Sequence, residues 1–127
     1  MANRLFTQFR LSLEKKICDI YMKATIAATG APTLVAASSK GVASIARTGL
    51  GAYTITLQDP YVDLLFAGFH ITLASGSPAA LAWKVVSYDS TVAKTYLVQF
   101  YDGAGAAVEI ANGATLKVKF ELKDSSV

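Results

Sequence analysis

The chain has one cysteine, Cys18, and one histidine, His70, in 127 residues. A single thiol excludes an intrachain disulfide and fits a reducing compartment. One Cys and one His exclude a metal cluster of the usual nitrogen and sulfur type. Charge is also scarce, at 17% of residues, which is low for a soluble domain. The net charge of +3 comes from Lys and Arg scattered along the chain, too weak and diffuse for a nucleic-acid footprint. No apolar run approaches the ~20 residues that cross a membrane. Met1 to Arg10 lacks the apolar core and small-residue cleavage site of a secretory signal. Synthesis in the cytosol is therefore expected, with no membrane and no nucleic acid as partner.

Hydrophobic residues, by contrast, reach 53%. A chain of this length folds as one domain with one real core. With so few charges, part of its surface is expected to be covered by partner chains.

Strand signals dominate after Lys16. Ile17 to Ile26 is rich in β-formers, and Gly30 and Pro32 break it. Thr33-Leu34-Val35 is a short extended piece, and Ala36 to Lys40 reads as a loop. Val42–Arg47 and Tyr53–Leu57 form a hairpin around the turn Thr48-Gly49-Leu50-Gly51-Ala52. Tyr53, Ile55 and Leu57 alternate with Thr54 and Thr56, the period of a half-buried strand. Further strands are expected over Phe69–Leu73, Leu81–Tyr88, Thr91–Tyr101 and Ala107–Ile110, with turns at Ser75–Pro78, Asp89-Ser90, Asp102–Gly105 and Asn112-Gly113. Leu116, Val118, Phe120 and Leu122 alternate cleanly with Lys117, Lys119, Glu121 and Lys123. Asp59 as a cap and Pro60 at a first helical position predict a short helical turn near 59–65. Its Leu64 and Leu65 would plug one end of the core.

This pattern predicts an all-β fold, an antiparallel β-sandwich or a jelly-roll-like barrel, over residues 16–127. Residues 1–15 read as an N-terminal arm. Leu5, Phe6, Phe9 and Leu13 fit helical spacing, while Phe9, Leu11 and Leu13 also alternate like a strand, and the pattern does not choose between them. The arm needs something to lie against, its own core or a neighbouring subunit. The apolar and basic mix of Arg4, Leu5, Phe6, Phe9 and Arg10 marks them as candidate contacts with a neighbouring subunit.

No residues are assembled for catalysis, so an enzyme is not expected. A Cys18–His70 dyad has no supporting motif, and Cys18 reads as a small buried hydrophobe. Asp59 and Asp63, four apart on the predicted turn, offer a cation site or an acid/base pair, but a cap plus a solvated carboxylate is the plainer reading. Asp102-Gly103-Ala104-Gly105 lacks the further carboxylates of a calcium loop and reads as a tight turn. Gly49-Leu50-Gly51 lacks the helix and Lys of a phosphate loop. No catalytic, metal or cofactor-binding residue is therefore assigned.

Aromatics are the richer material. Tyr53, Tyr61, Phe66, Phe69, Trp83, Tyr88, Tyr96, Phe100, Tyr101 and Phe120 are mostly needed for the core. Tyr88, Tyr96 and Tyr101 are candidates for a surface aromatic patch of the kind that binds sugars.

The run from Ser39 to Leu65, SKGVASIARTGLGAYTITLQDPYVDLL, preceded by Gly30-Ala31-Pro32-Thr33-Leu34, resembles a recurrent pattern in small structural proteins of tailed bacteriophages. Such proteins look like capsid decoration, or cement, proteins. The resemblance implies binding to the major capsid protein on the outside of the head shell, often as a homotrimer at local threefold positions. It brings no catalytic residues. A structural virion protein that stabilises the shell is the expectation, made in the cytoplasm of a bacterial host and placed on the capsid surface. The alternative is a glycan- or receptor-binding β-domain of a phage tail or head fibre.

Overall fold

A computed structural model describes residues 17–73 and 81–124. The candidate arm contacts Arg4, Leu5, Phe6, Phe9 and Arg10, and the expected turn at Ser75–Pro78, lie outside the described residues. Among the described residues eight strands follow one another: β1 Ile17–Ile26, β2 Pro32–Leu34, β3 Val42–Gly49, β4 Ala52–Leu57, β5 Asp63–Thr72, β6 Leu81–Asp89, β7 Thr95–Asp102 and β8 Thr115–Lys123. They form two four-stranded antiparallel sheets, ordered β2-β1-β8-β5 and β3-β4-β7-β6. The architecture is a β-sandwich. The sheets stay separate, so no barrel closes.

Alternation sets the core. Ile20, Met22, Ala24 and Ile26 of β1 and Leu116, Val118, Phe120 and Leu122 of β8 point inward from one sheet. They meet Tyr53, Ile55 and Leu57 of β4 and Tyr96, Val98 and Phe100 of β7 from the other. Phe100 packs edge-to-face against Tyr53 of its own sheet at 5.9 Å and against Phe69 of the opposite sheet at 5.7 Å, centroid to centroid, so the second pair joins the two layers. Cys18 is half-buried against this core, its Sγ 3.9 Å from the Tyr61 hydroxyl.

The structure departs from the sequence pattern in three places, twice through non-local contacts and once, after Asp89, through a local cap. The helical turn expected near 59–65 does not form. Asp63 already belongs to β5, and the stretch before it is tied down by Tyr61 N–H to the Ser90 carbonyl and Val62 N–H to that of Lys123. One isolated helical turn gains little, because its first bond must fix several residues at once. A ladder against β8 satisfies the same backbone groups along a whole strand. Leu64 therefore packs on the core, but Leu65 sits at a bulge and points to solvent, so only one of the two plugs the sandwich.

The strand expected from Thr91 begins instead at Thr95. The Asp89 carboxylate accepts hydrogen bonds from the backbone N–H groups of Thr91, Val92 and Ala93, which winds this stretch into a turn. The segment Ala107–Ile110 makes a single bridge, Tyr101 to Ala107, rather than a strand. Glu109 holds it down. One carboxylate oxygen accepts from Arg47 Nε at 3.0 Å, from Arg47 Nη2 and from the Gly51 N–H. Beyond it, Asn112-Gly113 is a turn leading into β8 rather than a hairpin tip, with the Gly113 N–H donating to the Ile26 carbonyl.

Candidate functional site

Two surfaces stand out. The first is the open side of the sandwich where the edge strands β5 and β6 meet. Phe69 of β5 lies 5.8 Å from Trp83 of β6, and the Tyr88 hydroxyl donates to Asp63 Oδ1 at 2.7 Å. Trp83 is in register with the buried Phe100 and so faces inward, yet it is 46% exposed because the layers end there. Both edge strands carry a bulge here, at Leu65 and at Val86, and both bulge residues are exposed hydrophobics. Bulged edges resist addition of a further strand. Trp83 and Tyr88 are exposed at this side, and the same two edge strands carry the exposed bulge residues Leu65 and Val86.

The surface aromatic patch expected at Tyr88, Tyr96 and Tyr101 is not formed. Tyr96 and Tyr101 lie on the same strand five residues apart, an odd number, and so face opposite sides of the sheet. Tyr96 is fully buried, with its phenol pushed up to about 12 by burial. Tyr101 is half-buried on the outer face beside Ala82 and Ala107. Tyr88 stacks on Tyr96 at 5.9 Å, with its rim exposed, and hydrogen bonding to Asp63 raises its phenol. The aromatic-rich sequence did not separate the core tyrosine from its exposed neighbours. Strand parity was the signal that could have done so.

The second surface is the outer face of the β2-β1-β8-β5 sheet. Register places its side chains in four successive rungs across β1, β8 and β5. Asp19, Glu121 and Phe66 form the first. Tyr21, Lys119 and Gly68 form the second, Lys23, Lys117 and His70 the third, and Thr25, Thr115 and Thr72 the fourth. The two middle rungs line an open groove of about 540 Å³. Gly68 leaves its floor low, and a Cβ there would stand 3.0 Å from the Phe66 ring.

Within the groove, Lys119 Nζ lies 5.9 Å from the centre of the Tyr21 ring and 3.3 Å from the Glu121 carboxylate, which raises its pKa. Among the described residues, Lys23, Lys117 and His70 have no carboxylate at ion-pair distance. Sequence reading passed over this cluster because its members come from three distant segments.

His70 thus lies on the outer face, whereas Cys18, opposite Leu122, faces inward, so the two cannot form a dyad. Asp59 and Asp63 share no helical face, and Asp63 is engaged by Tyr88 and its own strand end. Asp102 closes its turn by accepting from the Ala104 and Ala106 N–H groups. No protein-family model matches the chain, and no curated protein or solved structure does so either.

Proposed function

We propose that this chain is a structural virion protein of the decoration type, binding the outer surface of a phage capsid as a homotrimer and stabilising the head shell. The observation that carries the proposal is the apolar side at β5 and β6, whose two strands leave four large side chains exposed on a charge-poor domain. Exposed clusters of this kind mark protein-binding surfaces, and an oligomer that buries them leaves each subunit soluble. The occupant is a second copy of the chain, since bulged edges favour side-chain docking over strand addition from an extended peptide. The residue pattern from Gly30 to Leu65 supports the phage setting. Arg4, Leu5, Phe6, Phe9 and Arg10 would then reach the major capsid protein, and trimeric attachment would raise the effective affinity of weak individual contacts. The reading assigns no catalytic residue and no cofactor.

Native mass spectrometry of the wild type and of Trp83→Lys tests the oligomer. The expected result is a trimer for the wild type and a folded monomer for the variant. A monomeric wild type, or a variant that stays trimeric, overturns it. Deleting residues 2–13 and measuring capsid occupancy tests the arm, and undiminished binding removes it from the proposal.

A further inference from the structure

The middle rungs on the outer face of the first sheet combine an aromatic ring and a pair of lysines within one small area. Tyr21 supplies an exposed aromatic wall. Lys23 and Lys117 lie directly opposite one another on adjacent strands, ~4.8 Å apart in backbone spacing. Like charges so placed repel, and no carboxylate among the described residues offsets them. Next to them, Thr25, Thr115 and Thr72 form a row of hydroxyls.

The boundaries of this area narrow the ligand. Asp19 and Glu121 close the cationic area on one side and the threonines on the other, so it spans only two rungs, ~7 Å along the strands. A nucleic-acid backbone needs a longer cationic track. An extended acidic peptide would pair with a strand edge rather than lie across a face. A single ring bearing a negative charge fits. The C–H face of a pyranose packs on the negative face of an aromatic ring, and its carboxylate accepts charge-assisted hydrogen bonds from lysine.

We propose that this groove binds a carboxylated sugar, with Tyr21 stacking on the ring and Lys23 and Lys117 pairing with the carboxylate. The groove lies on the outer face of a sheet and not at the β5–β6 side, so the proposal stands or falls separately from the virion role.

The test titrates the full chain with an alginate tetrasaccharide by calorimetry. Its carboxyl-reduced counterpart and a glutamate peptide of equal charge serve as controls. Tyr21 and Lys117 are exposed, so Tyr21→Ala and Lys117→Gln are expected to fold, as circular dichroism would verify. Saturable binding of the acidic sugar is expected, weakened about tenfold by either variant and weakened by salt, with no binding of the reduced sugar. No saturable binding, equal binding of the peptide or the reduced sugar, or indifference to both variants overturns it.

Discussion

Gly51 and Glu109 together decide where the segment before β8 can lie. Gly51 has φ +66°, and a Cβ there would stand 2.1 Å from the Val108 carbonyl oxygen. That position needs both the left-handed conformation and the missing side chain. Gly51→Ala is expected to cost about 3 kcal/mol, lowering Tm by roughly 10 °C or more in a thermal melt. Tyr53 secures the same corner by donating its hydroxyl to the Gly30 carbonyl at 2.8 Å. Tyr53→Phe is expected to cost about 1 kcal/mol, with the core otherwise intact.

The hydrogen bonds from Arg47 hold the Glu109 carboxyl below its ordinary value, and backbone N–H donors from Val92 and Ala93 do the same for Asp89. A carboxyl depressed in the folded state adds stability that is present above its unfolded pKa of ~4.3 for Glu and ~3.9 for Asp. That stability is lost as pH falls through the folded value. Denaturation midpoints measured from pH 6 downward are therefore expected to fall through the carboxylate range. In Glu109→Gln the midpoint should start lower at pH 6 and fall less steeply. An unchanged slope in that variant would show that Glu109 contributes nothing to the acid limb.

At the scale of the element, the bulges of β5 and β6 keep two exposed edges from recruiting further strands. Deleting Leu65 would regularise β5 against β8. The expected outcome is a retained fold with a stronger tendency to form higher-order aggregates, read by light scattering against concentration. Wild-type scattering in the deletion variant would show that the bulge does not protect the edge.

The strands most legible in the sequence were those whose pattern and pairing agree. The alternation of Leu116, Val118, Phe120 and Leu122 reads correctly because β8 is central in its sheet, with one face on the core and one outward. Tyr53, Ile55 and Leu57 read correctly for the same reason. Asp59-Pro60 misled because a capping signal is local, whereas the ladder from Asp63 to Lys123 joins residues far apart in the chain. Ala107–Ile110 has strand-forming residues, yet a single ion pair and the close approach to Gly51 fix it instead. The groove was illegible altogether. Its rungs exist only once β1, β5 and β8 are aligned, and no run of sequence contains two members from different strands.

For the whole molecule, the sandwich offers two faces of different character. One is an apolar side between the layers' free edges, suited to a copy of the same chain. The other is a cationic groove on an outer sheet face, suited to a small acidic ligand. A decoration protein would use the first to assemble and leave outer faces free. The proposal rests on where the chain sits in a particle, and a cryo-EM map of the purified virion reads that directly. The expected result is density for this fold on the outside of the head shell, in clusters of three at local threefold positions with the β5 and β6 edges turned toward one another. A shell without it, or density confined to the tail, contradicts the assignment.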